Sequence, residues 1–159
     1  MPTTFTECGE NVTSAAGRIM ERFYRDLVEA GVTIRWLFAS NHEAIGGCLK
    51  HHGYPAAGII KVNSLKDRVE GKTDLTVTID LEWWEQHDEK ACAALIDHEL
   101  YHVLIAHDDE GQIILDDVGR PKTKLRPHDF EIGGFHDIAQ RQGFGPIVRD
   151  DDGRDVQLC

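Results

Sequence analysis

The sequence predicts an α+β fold, and the order of its periodic segments is the main reason. A helix-like stretch comes first, and three short runs rich in β-branched residues follow it. A long apolar helix, a polar hairpin and a last helix complete the chain. With 159 residues the chain is long enough for one hydrophobic core and short for two. We therefore expect a single domain over residues 1–149, followed by an acidic tail over residues 150–159.

The first half of the chain is expected to supply one helix and the strands of a sheet. Residues 13–30 carry apolar side chains three to four positions apart, which predicts a helix. Thr13 or Ser14 is the expected N-cap of this helix, and Gly31 is expected to end it. In chain order, the predicted strands cover residues 32–38, 57–62 and 74–79.

The second half is dominated by a helix predicted from Glu89 to about Ala106, with Asp88 as its N-cap. Its side chains are apolar nearly all round, which is typical of a helix buried at the centre of a domain. A polar segment with hairpin character follows it. The last helix is predicted from about Asp129 to Arg141.

Charge and hydropathy exclude several classes of protein. The formal net charge of −11 argues against unspecific binding to nucleic acid or to an anionic membrane, because both require a basic surface. No apolar run approaches the roughly 20 residues of a membrane span, and the first residues do not resemble a secretory signal. We therefore expect a cytoplasmic protein that binds neither nucleic acid nor membranes.

The cysteines are scattered and form no CxxC pair, which is typical of reduced thiols in a cytosol. A metal bound by this chain would consequently be held by histidine and carboxylate side chains. The four positions are Cys8, Cys48, Cys92 and Cys159.

The central helix carries the motif His98-Glu99-Leu100-Tyr101-His102, an HExxH sequence. Residues four apart lie one above the other on a helix face, so both imidazoles can bind the same metal ion. Glu99, one position after the first histidine, can reach a water beside that metal without being a ligand. This is the arrangement of a catalytic zinc site, with two fixed ligands, an open position and a carboxylate base. Because this helix is expected to be buried, the two histidines and Glu99 are not expected at the surface. Buried there, these polar groups would be costly without a metal or polar partners.

A third ligand is expected from the segment that begins the last helix. His128 is the preferred ligand, and Glu131 is the alternative, either as a ligand or as a hydrogen-bond partner of an imidazole. Asp129 could orient His128 but more simply caps the helix. His107 and Asp108 are set aside, the first because it would point away from the ligand face, and the second because no glycine turns the chain before it.

The stretches LIDHELYHVL and DDVGRPKTKLRPHDFEIGGF, together with the strand and Trp-containing segment before them, resemble the putative phage metallopeptidase family. The resemblance covers about residues 57–143. It implies a zincin-like fold, in which helices pack on a small mixed sheet and the motif helix lies beneath the cleft. It also implies ligand roles for His98 and His102, the base role for Glu99, and site roles for His128 and Glu131. A phage or prophage protein acting in a bacterial host is the implied origin.

The resulting hypothesis is a metallopeptidase that binds one Zn²⁺ per chain and hydrolyses a peptide or protein substrate, with Glu99 as general base. The leading alternative is a non-catalytic phage or prophage accessory protein that keeps zinc for its shape and binds a host factor. A metal-free fold, in which hydrogen bonds satisfy the histidines, is a third interpretation. Glu99 favours the peptidase, since a structural zinc site does not require this carboxylate.

Overall fold

The computed structural model describes residues 3–41, 48–51, 54–128, 137, 138 and 141. Helices and short strands alternate along the described chain. In order they are β1 (Thr4–Glu7), α1 (Glu10–Phe23), α2 (Arg25–Ala30), β2 (Ile34–Ser40), β3 (Lys50–His51), β4 (Tyr54–Pro55), β5 (Gly58–Val62), α3 (Leu65–Val69), β6 (Leu75–Asp80), α4 (Leu81–Gln86), α5 (Glu89–Tyr101), β7 (Val103–Ile105) and β8 (Thr123–Leu125).

Four strands form the main sheet, in the order β1-β2-β6-β5. The two central strands, β2 and β6, run parallel, while β1 and β5 each pair antiparallel with their neighbour. The protein is therefore α+β with a small mixed sheet, as predicted. All three predicted strands are present as β2, β5 and β6, with ends shifted by at most two residues.

The core lies between this sheet and the helices. Leu75, Val77 and Ile79 of β6 are completely buried, and so are Leu95 and Ile96 of α5. The alternation of β6 thus places its apolar face on the core, where it meets the apolar side chains of α5. The last part of α5, with the HExxH motif, is thereby held against the sheet.

The predicted helix over residues 13–30 is wrong in its boundaries. It begins earlier, at Glu10 after the N-cap Gly9, and it is divided into α1 and α2 at Tyr24, where φ is −131°. Thr13 and Ser14 are inside α1 and cap nothing. Gly31 ends α2 as predicted, in the left-handed conformation with φ at 74°.

The prediction that the central helix continues to Ala106 is also wrong. Helix α5 ends at Tyr101, and the next residues form β7, which pairs antiparallel with β8 in a second, two-stranded sheet. Apolar residues at 103–105 fit the helical pattern, but the pairing with β8 gives their backbone groups partners outside the helix. Between β7 and β8 the chain turns twice, at Gly111 and Gly119, both with positive φ.

Two predicted segments lie largely outside the described residues. Of the predicted last helix, residues 137, 138 and 141 are described, and all three are helical. The predicted tail over residues 150–159 is not described, so the division of the chain at residue 149 stays a prediction. Among the described residues no helix is long and apolar enough to cross a membrane.

Candidate metal centre

The HExxH motif lies at the C-terminal end of α5 and not in its middle. His98 and Glu99 belong to the last turn, and His102 is the residue that follows the helix. His102 retains helical backbone angles, with φ at −62° and ψ at −27°, and its backbone N–H donates to the Glu99 carbonyl. The i, i+4 relation between the two imidazoles is therefore preserved, although the chain leaves the helix immediately afterwards.

His128 reaches the same place through the pairing of β7 with β8. In that ladder Val103 lies opposite Leu125, and beyond it the backbone N–H of Arg126 donates to the His102 carbonyl at 2.7 Å. Two residues later the chain places the His128 ring beside both imidazoles of the motif. The centroid of the His128 ring lies 5.0 Å from that of the His98 ring and 4.8 Å from that of the His102 ring.

The three imidazoles form a compact set of nitrogen ligands. One ligand atom from each of His98, His102 and His128 can be chosen so that all three lie within 4.8 Å of one another. Nε2 of His98 is 3.1 Å from Nε2 of His128. Two nitrogens that bind one tetrahedral zinc are roughly 3.3 Å apart, given Zn–N distances of about 2.0–2.1 Å. The donor set and its spacing therefore fit a zinc ion.

The backbone beside His102 determines how its ring is presented. Nδ1 of His102 lies 2.8 Å from the carbonyl oxygen of Arg126, and a proton on Nδ1 is donated to that oxygen. The tautomer with Nδ1 protonated leaves Nε2 unprotonated, which is the form in which an imidazole nitrogen binds a metal. The strand pairing that places His128 thus also orients His102.

Glu99, the residue that follows His98, is completely buried and is not a member of the three-ligand set. Within the described part of the chain neither of its carboxyl oxygens has a hydrogen-bond partner. Burial raises the pKa of Glu99 well above the usual range of a glutamate. Carboxyl groups are rarely enclosed in this way without partners, so Glu99 is a candidate for a chemical role.

Another buried carboxylate of α5, Asp97, has a different environment. It accepts hydrogen bonds from the Tyr24 hydroxyl and from Arg141, whose Nη1 lies 2.8 Å from Oδ1. Asp97 thereby joins α5 to the break between α1 and α2 and to the last helical residues. Asp97 is completely buried, so it does not occupy a solvated position on the surface of the helix.

The other predicted site residues separate into two groups. Asp129 and Glu131 lie outside the described residues, so their predicted roles stay predictions. His107 and Asp108 are exposed, and neither belongs to the cluster of three histidines. The Asp108 carboxylate instead accepts the backbone N–H groups of Glu110 and Gln112 in a turn.

Three converging imidazoles, two of them buried and that of His128 partly exposed, together with an enclosed carboxyl are typical of metal-dependent hydrolases. A family model described as Putative phage metallopeptidase matches residues 4–156, almost the whole chain. The chain belongs to the putative phage metallopeptidase family. Neither the curated proteins nor the solved structures show a significant match. Family and site together indicate a metal-dependent peptidase, with the cluster of His98, His102 and His128 as the candidate position of the metal.

Proposed function

We propose that this protein is a zinc-dependent peptidase that hydrolyses peptide bonds with Glu99 as general base. The observation that carries this proposal is the convergence of His98, His102 and His128 beside a completely buried Glu99. Peptide or protein substrates follow from the family to which the chain belongs. The zinc, the individual roles of the residues and a zincin-like fold are parts of the proposal.

His98, His102 and His128 would hold one zinc ion per chain. When bound, zinc supplies a Lewis acid that polarises the scissile carbonyl and makes water acidic enough to lose a proton near neutral pH. Glu99 would accept that proton and deliver it to the nitrogen of the leaving amine. A carboxyl without a competing hydrogen bond in the described part of the chain is suited to this exchange.

Three histidine ligands support a catalytic site over a structural one. Structural zinc sites are closed by four protein ligands, whereas catalytic sites have three and keep one position for water or substrate. The cluster found among the described residues contains three ligands. The non-catalytic alternative is favoured by one observation, which is that His98 and Glu99 are both completely buried.

The ligand set is tested by measuring metal content with elemental mass spectrometry. We expect about one zinc in the wild-type protein, and loss of most of it in His98→Ala, His102→Ala and His128→Ala. His107→Ala removes an exposed imidazole outside the cluster and is the matched control, which should keep its zinc. A His128→Ala variant that retains zinc with unchanged affinity would exclude His128 as the third ligand and direct attention to Glu131.

The base is tested with Glu99→Gln, which keeps the size of the side chain and removes its ability to accept a proton as a carboxylate. We expect full zinc content and a fall in turnover of about 10²–10⁴-fold, the usual contribution of general acid–base catalysis. Cleavage of a mixture of fluorescence-quenched peptides measures this effect. Zinc-loaded wild-type protein that cleaves no peptide would favour the non-catalytic alternative, and a fully active Glu99→Gln variant would refute the role of Glu99.

A further inference from the structure

The first residue of β5, Gly58, lies directly against the side chain of Glu99. A methyl group placed on Gly58 would be 2.9 Å from Oε1 of Glu99 and 3.3 Å from Cδ1 of Leu95. The first of these distances is shorter than carbon and oxygen atoms in proteins tolerate. The Glu99 carboxyl can therefore lie in this position only because residue 58 has no side chain.

The backbone conformation of Gly58 does not by itself require glycine. The described glycines with positive φ are Gly31, Gly71, Gly111 and Gly119, and Gly58 is not among them. Gly58 is instead an ordinary member of the ladder with β6, where it lies opposite Ile79. Glycine within a strand lowers stability, and it often occurs where another group approaches the backbone closely. Here that group is the carboxyl of Glu99.

We propose that Gly58 is a positioning residue, whose missing side chain provides the space that the Glu99 carboxyl occupies. The inference rests on the proposed role of Glu99 as general base. Neither oxygen of Glu99 has a hydrogen-bond partner among the described residues, so packing positions this carboxyl, and Gly58 is part of the surface against which it lies. A methyl group at residue 58 displaces Oε1, and the three atoms nearest to that methyl belong to Glu99 and Leu95, with no imidazole atom among them.

The variant Gly58→Ala tests the consequence for catalysis. We expect unchanged zinc content, an unchanged KM, and a fall in kcat on the order of 10²-fold, because displacement of a catalytic group by about 1 Å has an effect of this size. Gly17→Ala is the matched control, since a methyl group on Gly17 in α1 meets nothing within 4 Å. A Gly58→Ala variant with wild-type kcat would overturn the inference.

A thermodynamic cycle in thermal unfolding tests the contact without measuring activity. In the wild-type background Gly58→Ala overpacks the core, and we expect the Tm of the metal-free protein to fall by about 2–6 °C. In the Glu99→Ala background the obstructing carboxyl is gone, and most of this decrease should disappear. An equal decrease in both backgrounds would assign the clash to Leu95 and overturn the inference.

The two proposals fail in different ways. Zinc-loaded wild-type protein that cleaves no peptide contradicts the proposed function, but the unfolding cycle still decides whether Gly58 positions Glu99. Active wild-type protein with an equally active Gly58→Ala variant contradicts the positioning role and leaves the peptidase intact. A variant that loses zinc as well as activity would show that Gly58 supports the ligands and not Glu99, which also overturns the inference.

Discussion

Asp97 and Glu99 are two residues apart on α5, and both are completely buried, yet their surroundings are opposite. Asp97 accepts hydrogen bonds from Tyr24 and Arg141, and so joins three parts of the chain. Glu99 lies against the glycine of a strand, and neither of its oxygens has a partner in the described part of the molecule. A carboxylate with partners stabilises the fold, whereas one without them reduces stability and is retained for another reason. The two acids thus differ in kind: Asp97 joins parts of the fold, whereas for Glu99 we propose a chemical role.

The largest effect on stability is expected for Asp97→Asn. Breaking a buried ion pair generally costs about 3–5 kcal/mol. The Arg141 side chain is 25% exposed, so we expect a loss of about 3 kcal/mol in the free energy of unfolding. Denaturant unfolding of the metal-free protein measures it, with exposed Asp109→Asn as the control. An unchanged unfolding midpoint for Asp97→Asn would remove the distinction between the two acids.

A smaller loss is expected for Tyr24→Phe, which removes the hydroxyl that donates to Asp97 and leaves the ring in the core. The Tyr24 hydroxyl lies within hydrogen-bond distance of the backbone carbonyl and of the carboxylate of Asp97, and the second is a charged acceptor, so the free energy of unfolding should fall by about 1.5–2 kcal/mol. In the Asp97→Asn background the same substitution should cost less, because the two residues act in one network. Additive losses would mean that Tyr24 stabilises the fold independently of Asp97.

Glu99→Gln should not lower the free energy of unfolding, in contrast to the two preceding variants. Glutamine leaves a polar group of nearly the same size in the place of an unpartnered carboxyl, but it cannot ionise and so avoids the cost of burying a charge. The free energy of unfolding should therefore stay unchanged or rise by up to about 1 kcal/mol. The measurement is chemical unfolding of the metal-free protein at neutral pH. A clear loss of stability would indicate that Glu99 contributes to the fold in the same way as Asp97.

The last prediction concerns a third acid, Asp74, which is remote from the motif in sequence and whose expected effect depends on pH. Burial alone would raise its pKa, but hydrogen bonds from Arg120 and Thr33 hold the pKa of Asp74 below its usual value. A lowered pKa in the folded state stabilises the protein above the unfolded pKa of about 3.9, and this contribution is lost as the pH falls through the folded pKa. Asp74→Asn should therefore lower stability at pH 7 and flatten its decrease in acid, which unfolding curves between pH 3 and pH 7 would show.

Much of the sheet was predictable because its central strands concentrate β-branched residues, and β6 alternates cleanly. Strand β1 was missed since all four of its residues are exposed and give no apolar pattern. The end of α5 was misplaced because residues 103–105 fit a helix as well as a strand, and the choice depends on β8, about 20 residues further along the chain. Local periodicity does not contain that information.

The candidate site, too, was predictable only where local sequence determines it. The spacing of His98, Glu99 and His102 predicts a metal site, and the structure places His128, the preferred third ligand, beside the two motif histidines. The surroundings of Glu99 and Asp97 could not be predicted. Tyr24 is 73 positions from Asp97, and Gly58 meets Glu99 through the packing of a helix on a strand. Such contacts are defined by tertiary structure, and an isolated glycine in a strand pattern was the single local signal for one of them.

Because the chain passes from α5 directly into β7, the register of a small sheet determines the geometry of the proposed metal ligands. His102 precedes β7 and His128 follows β8, so the pairing of Val103 with Leu125 sets the separation of the two rings. A slip of one residue would move His128 by about 3.3 Å and turn its side chain to the other face. Metal–ligand distances vary by only about 0.2 Å in well-formed sites. A bound ion would therefore stabilise only the register that brings the two rings together, and metal binding would favour the correctly paired hairpin over its alternatives.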